Sequence, residues 1–269
     1  MIQVTILLQK ILFSLALILV LAYMALNLFA WFFAERLIFQ PPASTYQDTP
    51  EILKLTTQNN QHISALYLPH PNATFTILYS HGNGSDLGTI RAGLETIRRI
   101  GFSVFAYEYQ GYGTSQGTPS EQNAYLDIAA AYRYLTQTLD IAADRLILYG
   151  FSVGSGPSIE LALHQPVAGL ILEGAFTSTF RVVTYFPILL FDRFDNISKI
   201  KSIHYPILMI HGKRDRVIPF HHSQTLYKAA NPPKQFLAVE EADHNDLVDV
   251  AGEQYTEALK SFAQQIQSS

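Results

Sequence analysis

The sequence predicts an α/β fold, a mostly parallel sheet with helices on both faces, preceded by one N-terminal transmembrane helix. Three features of the 269-residue chain point there. Short β-rich runs alternate with helix-period segments, a glycine-flanked serine sits at a strand-to-helix junction, and an apolar run near the N-terminus is long enough to cross a bilayer.

The N-terminal run comes first. Residues 11–34 contain only Ser14 and Asn27 as non-apolar members. At 1.5 Å per residue a helix of that length spans about 36 Å, more than a ~30 Å hydrocarbon layer. A cleaved signal peptide competes with this reading, but the run exceeds the usual apolar core of such peptides and shows no Ala-x-Ala cleavage pattern. A buried core helix would need far less length. Tyr23, Phe29, Trp31, Phe32 and Phe33 crowd the second half, where rings suit a membrane interface. Lys10 before the run and Arg36 after it nearly balance, so orientation stays open. Residues 1–36 are therefore expected to be an anchor. Residues 37–48, with Pro41, Pro42 and small polar side chains, have the punctuation of a linker, and 49–269 form the globular domain. A chain beginning at Thr45 should then keep its chemistry.

At 48% hydrophobic and 15% charged, the 269-residue chain is long enough for one substantial core. The net charge of -4 comes with no basic stripe, which argues against a nucleic-acid partner. With no cysteine there is no disulfide, thiolate metal site or cysteine nucleophile. Strand-like runs fall at 63–68, 76–80, 103–109, 145–149, 169–172, 206–210 and 235–239. Between the third and fourth, Tyr125, Ile128, Tyr132, Leu135 and Leu139 recur at helical spacing, and Thr118, Pro119 and Glu121 suggest a capping box at the start of that helix. Tyr255, Leu259, Phe262 and Ile266 repeat the pattern near the C-terminus.

The motif that carries chemistry is Gly150-Phe151-Ser152-Val153-Gly154, directly after the apolar run Leu146-Ile147-Leu148-Tyr149. A serine on a tight turn between strand and helix is exposed at the sheet edge, and glycines two residues either side avoid collisions with the neighbouring strand and helix. Chance can produce such a pentapeptide; the strand-to-helix context argues against chance here. A serine hydroxyl needs a base to accept its proton, and a base needs an acid to orient it. Asp215 follows the run 206–210 and His244 follows the run 235–239, so both fall at carboxyl ends of strands, the edge that also carries Ser152. Ser152 is thus read as nucleophile, His244 as general base and Asp215 as orienting acid.

Rivals exist for each role. Among nine histidines, His62, His70, His164 and His204 read as surface or capping residues, and His221 and His222 as the solvated start of a helix. Those two with Asp215 make a poor metal site, because adjacent histidines seldom converge on one ion. Asp243, Asp246 and Asp249 lie nearer His244 in sequence than Asp215 but share its loop or the following helix. The glycine-bearing loop His81-Gly82-Asn83-Gly84 ends another strand, and the backbone amides of Asn83 and Val153 are the expected oxyanion donors. His81 should shape that loop, and it is the main rival to His244 as base.

Together with Tyr109-Gln110-Gly111-Tyr112-Gly113-Thr114-Ser115 and Ala175-Phe176-Thr177-Ser178, these segments resemble the α/β-hydrolase superfamily. Within it the chain is similar to a small membrane-tethered group that includes protein depalmitoylases and is often labelled serine-aminopeptidase-like. The resemblance covers about residues 40 to 265. It implies an eight-stranded, mostly parallel sheet, hydrolysis through an acyl-enzyme, and a cap at about 176–205. Glu108 departs from the aspartate that relatives often carry, a difference that concerns loop structure.

The expected activity is cleavage of an ester or thioester of a small acyl or lipid-like substrate at a membrane, with no cofactor or metal. A serine aminopeptidase-like peptidase would need a carboxylate for the substrate's amine, and the cap offers only Asp192 and Asp195. A silent binding module on the same fold is the third reading. Within the cap, residues 180–191 are strongly apolar and fit either a lid lining an acyl pocket or an ordinary buried helix.

Overall fold

The computed structural model describes residues 2–184 and 186–268; Tyr185, part of the apolar cap stretch, lies outside them. The strands are β1 (Ile52–Thr56), β2 (His62–Leu68), β3 (Thr76–Ser80), β4 (Ser103–Tyr107), β5 (Leu146–Phe151), β6 (Gly169–Glu173), β7 (Ile207–Gly212) and β8 (Lys234–Val239). They form one sheet in the order β1-β2-β4-β3-β5-β6-β7-β8. β2 pairs antiparallel with both β1 and β4, and every other pairing is parallel. This is the α/β-hydrolase fold. The strand missing from the sequence reading is β1, a sheet-edge strand in which only Leu55 is buried, so it lacks the continuous apolar run that marks a central parallel strand.

The helices are α1 (Ile2–Ile38), α2 (Leu87–Ile100), α3 (Glu121–Arg133), α4 (Ser155–His164), α5 (Thr179–Val183), α6 (Asn196–Lys199), α7 (His221–Ala229), α8 (Leu247–Ala251) and α9 (Glu253–Gln267). Side chains alternate across the sheet. Leu146 and Leu148 of β5 point into a core shared with Ile128 of α3 and Ile159 of α4, while Ile147 and Tyr149 enter a second core with Leu94 of α2 and Leu259 and Phe262 of α9. Burial on both faces explains why the central strands read as unbroken apolar runs. α3 is capped two residues later than the sequence suggested. Ser120 accepts from the Asn123 amide, and Glu121, freed from any capping box, turns its carboxylate to the Phe194 amide and the Tyr125 hydroxyl.

α1 continues past residue 36 to Ile38 and exposes most of its apolar surface, burying only Ala30 and Ala34. Its second half touches the cap. Trp31 packs edge-on to Phe191 at 5.0 Å, the Leu190 amide donates to Asn27 Oδ1 at 2.9 Å, and Glu35 pairs with Arg193 at 3.0 Å. The stretch 37–48 is docked along the domain. Phe39 is only 3% exposed and packs against Tyr109, Tyr112 and Phe194. Further on, Thr45 donates its amide and hydroxyl to Asp86, the cap of α2, and Tyr46 and Asp48 both bond Thr114.

Among the described residues of 180–191 there is no buried helix. α5 ends at Val183, residues 186–191 are irregular, and Val183, Phe186 and Leu190 are 80%, 75% and 80% exposed. Pro187 supplies no amide to a continuing helix and so breaks the helical ladder there.

Candidate active site

Ser152 occupies the turn between β5 and α4 with φ of +54°, the left-handed region that an ordinary side chain enters at a cost of about 1–3 kcal/mol. The flanking glycines make that turn possible. A Cβ on Gly154 would lie 2.0 Å from the Ser80 carbonyl oxygen of β3, and one on Gly150 would lie 2.5 Å from the Gly154 carbonyl oxygen. Strand and helix therefore approach as the spacing of the motif anticipated.

Three side chains predicted from different parts of the sequence meet here. His244 Nε2 lies 3.0 Å from Ser152 Oγ, and His244 Nδ1 lies 2.7 Å from Asp215 Oδ2. An ionised carboxylate only accepts, so Nδ1 carries the proton and Nε2 presents its lone pair to the serine hydroxyl. Phe151 stacks on the imidazole at 5.1 Å. Gly174, with φ of +56°, lets the backbone pass the ring, since a Cβ there would meet His244 Cε1 at 3.0 Å. Asp215 Oδ1 accepts from the amides of Val217 and Ile218. Burial alone would raise the Asp215 pKa. The hydrogen bonds from His211 and His244, the His244 charge and the Ile218 amide outweigh that and hold the carboxyl well below the usual carboxylate range.

The rival acids have other partners. Asp243 binds the Arg216 amide and guanidinium, which ties the His244 loop to the Asp215 loop, and Asp246 accepts from the Asp243 amide. His81, the rival base, is fully buried. Its Nδ1 faces the Gly82 carbonyl at 2.8 Å, its Nε2 faces Glu108 at 3.1 Å, and its own carbonyl accepts from Tyr109. The Glu108 carboxylate also accepts from the Leu87 amide at 2.7 Å, so the residue that departs from the family pattern joins this loop to the start of α2. Asn83 follows on the surface, its Oδ1 accepting from the Tyr112 hydroxyl at 2.7 Å and the Gln40 amide at 2.8 Å. Val153 lies in the turn immediately after Ser152. The chain immediately after α1 thus reaches the loop beside the candidate nucleophile.

Three buried polar groups escaped the sequence reading. His211 Nε2 lies 3.2 Å from Asp215 Oδ2, the oxygen that also faces His244 Nδ1, and 2.8 Å from the Ile218 carbonyl. The His211-x-x-x-Asp215 spacing on a strand end was the available signal. Glu173, at the end of β6, is buried with Tyr149 donating to it, and burial pushes its carboxyl up against the opposing effects of that hydroxyl and of His244 and His211. It shares a cavity of about 430 Å³ with His244, Phe151, Ile90 and Val248. His222 is not solvated as its position suggested: it is buried, with Nδ1 2.9 Å from Thr177 Oγ1, and burial lowers its pKa to about 4.

A family model described as serine aminopeptidase, S33, matches residues 71–191. The chain is 41% identical over 231 residues to alpha/beta hydrolase domain-containing protein 17B of Xenopus tropicalis, covering 83% of this chain and 78% of the relative. The human 17B protein is 40% identical over the same shares. The chain belongs to the alpha/beta hydrolase domain-containing protein 17 family. That makes it a hydrolase. Solved structures share the fold: an esterase from Pyrococcus furiosus superposes with a TM-score of 0.71 at 19% identity, covering 84% of this chain and 98% of that one. The esterase domain of a Rhodothermus marinus protein follows at 0.61 and 19%, covering 80% and 97%.

Proposed function

We propose that the protein is a serine hydrolase that cleaves acyl esters or thioesters at a membrane surface through an acyl-enzyme. The observation that carries this reading is the chain of contacts from Ser152 Oγ through His244 to Asp215, at 3.0 and 2.7 Å. As the Ser152 oxygen attacks the substrate carbonyl carbon, its proton passes to His244 Nε2, and Asp215 stabilises the imidazolium. The amides of Asn83 and Val153 are the donors for the developing oxyanion. His244 then gives the proton to the departing alcohol or thiol, and water, activated by the same histidine, releases the acid. This route uses no cofactor or metal.

The contacts of α1 with Phe191, Leu190 and Arg193 support a retained anchor over a cleaved signal, because cleavage would strip these partners from the cap. The resemblance to protein depalmitoylases favours a thioester of a long acyl chain. The aminopeptidase reading is weakened by the engagement of its two candidate carboxylates. Asp192 accepts from Ser178, Phe180 and Arg193, and Asp195 caps α6.

A fluorophosphonate probe tests the reading against a silent binding module. The wild-type protein should label, and Ser152→Ala should not label and should lose several powers of ten in rate. Parallel assays with acyl esters, acyl thioesters and aminoacyl arylamides separate esterase from peptidase. Equal labelling of Ser152→Ala would overturn the assignment of the nucleophile.

A further inference from the structure

We propose that residues 186–191 of the cap are themselves immersed in the bilayer, in the same leaflet as the second half of α1, so that the domain has two membrane contacts. This rests on reading α1 as a membrane span, and it adds a surface that the span does not require.

The stretch 182–191 carries no charged residue. Outside α1, the large apolar side chains exposed among the described residues are Val183, Phe186, Ile188, Leu190, Val217 and Val250, so four of the six fall within this one segment. In water such a cluster is unfavourable, and exposed apolar patches of this kind mark contacts with a partner or a membrane.

The occupant is fixed by where the segment sits. The Leu190 amide donates to Asn27 Oδ1 at 2.9 Å, while Asn27 Nδ2 donates to the Tyr23 carbonyl. Asn27 lies seven residues before Ala34, the last residue of the apolar run, which is about 10 Å along the helix axis toward the bilayer centre. Half of a hydrocarbon layer is about 15 Å, so the loop touches α1 at hydrocarbon depth. A polar side chain there is strongly disfavoured unless paired, and Asn27 and the Leu190 amide satisfy each other.

The base of the loop has the chemistry of the membrane interface. The Arg193 guanidinium lies 4.9 Å from the Trp31 ring and 5.0 Å from the Phe191 ring and pairs with Glu35, and Arg181 faces Asp192. Tryptophan and arginine at this level, with apolar side chains below them, match a protein surface crossing from headgroups into acyl chains. A groove of about 480 Å³ between Tyr23, Met24, Leu28, Trp31, Leu190 and Phe191 then faces lipid tails.

The native chain has no cysteine, so single cysteines can carry an environment-sensitive nitrobenzoxadiazole label. The full-length Leu190→Cys, Met24→Cys and Val217→Cys proteins are labelled and placed in phosphatidylcholine vesicles containing lipids spin-labelled at shallow or deep acyl positions. The label at 190 should be quenched by spin-labelled lipid to within about twofold of the label at 24, and protected from aqueous iodide, while the label at 217 stays open to iodide. If 24 is quenched by lipid but 190 answers only to iodide, the cap is outside the bilayer and the proposal fails with the anchor intact. If neither 24 nor 190 is quenched by lipid, the anchor reading fails and this inference falls with it.

Discussion

Replacing Phe39 by alanine should destabilise the catalytic domain, although the residue lies in a stretch with the composition of a linker. Phe39 is 3% exposed and meets three aromatic rings edge-on, Tyr109 at 6.1 Å, Tyr112 at 6.4 Å and Phe194 at 6.0 Å. Phenylalanine-to-alanine changes at such sites cost about 3–5 kcal/mol, and edge-on pairs beyond area burial are part of that figure. For a chain of this size each kcal/mol moves the midpoint by roughly 2–4 °C, so Phe39→Ala should melt roughly 6–20 °C below wild type. The assay is thermal unfolding in mild detergent, followed by near-ultraviolet circular dichroism, with Leu21→Ala as a control on the exposed face of α1. A chain beginning at Thr45 lacks both Phe39 and the Gln40 amide that holds Asn83, so it should lose stability and also activity on a short soluble ester. A chain beginning at Glu35 keeps both groups and should retain that activity. Melting of Phe39→Ala within about 1 °C of wild type would refute the docking of this stretch.

Asp215→Asn should leave the fold intact and lower kcat by roughly 10³–10⁴-fold, because it removes the acceptor that fixes the histidine tautomer; a loss under tenfold would move the acid's role elsewhere. The Asp215 pKa is depressed in the folded protein, so its contribution is present above the unfolded value and is lost only as pH falls through the lower folded one. Activity measured from pH 8 to pH 5 should therefore show no limb that Asp215→Asn abolishes selectively. Asp127 behaves oppositely. Burial pushes its carboxyl up to about 7 despite bonds from the Gln110 amide and side chain, so the native state keeps a proton that the unfolded chain releases from about pH 4 upward. Stability should fall as pH rises through that window and level off above it, by a few kcal/mol at most at about 1.4 kcal/mol per unit. Urea midpoints at pH 4.5 and 7.5 should converge in Asp127→Asn, and an unchanged slope would show that Asp127 does not set it.

The central strands and the meeting of Ser152, Asp215 and His244 were legible because each leaves a local signature. A two-sided buried strand must be a continuous apolar run, and a nucleophile turn needs glycines where Ser80 and Gly154 carbonyls crowd it. Chain order then placed Asp215 and His244 at strand ends on one edge. What was hidden depends on contacts between segments distant in sequence. Phe39 follows a span of apolar residues and precedes two prolines, so nothing local distinguishes it from linker. His222 reads as solvated because its burial comes from Thr177 on another loop. With α3 capped at Ser120, Glu121 accepts from the amide of Phe194, 73 residues away, a contact no local pattern announces. The cap was ambiguous for a related reason: an apolar run looks the same whether it faces a core or lipid.

The measurement that bears most directly on the catalytic assignment is the site of acylation during turnover. The full-length protein is mixed with a long-chain acyl thioester, quenched in acid, digested and mapped by mass spectrometry. The acyl mass should sit on the peptide containing Ser152, at the hydroxyl, and should be absent with Ser152→Ala, whose thioester turnover should fall by several powers of ten. An acyl group mapped to another side chain, or wild-type turnover by Ser152→Ala, would contradict it.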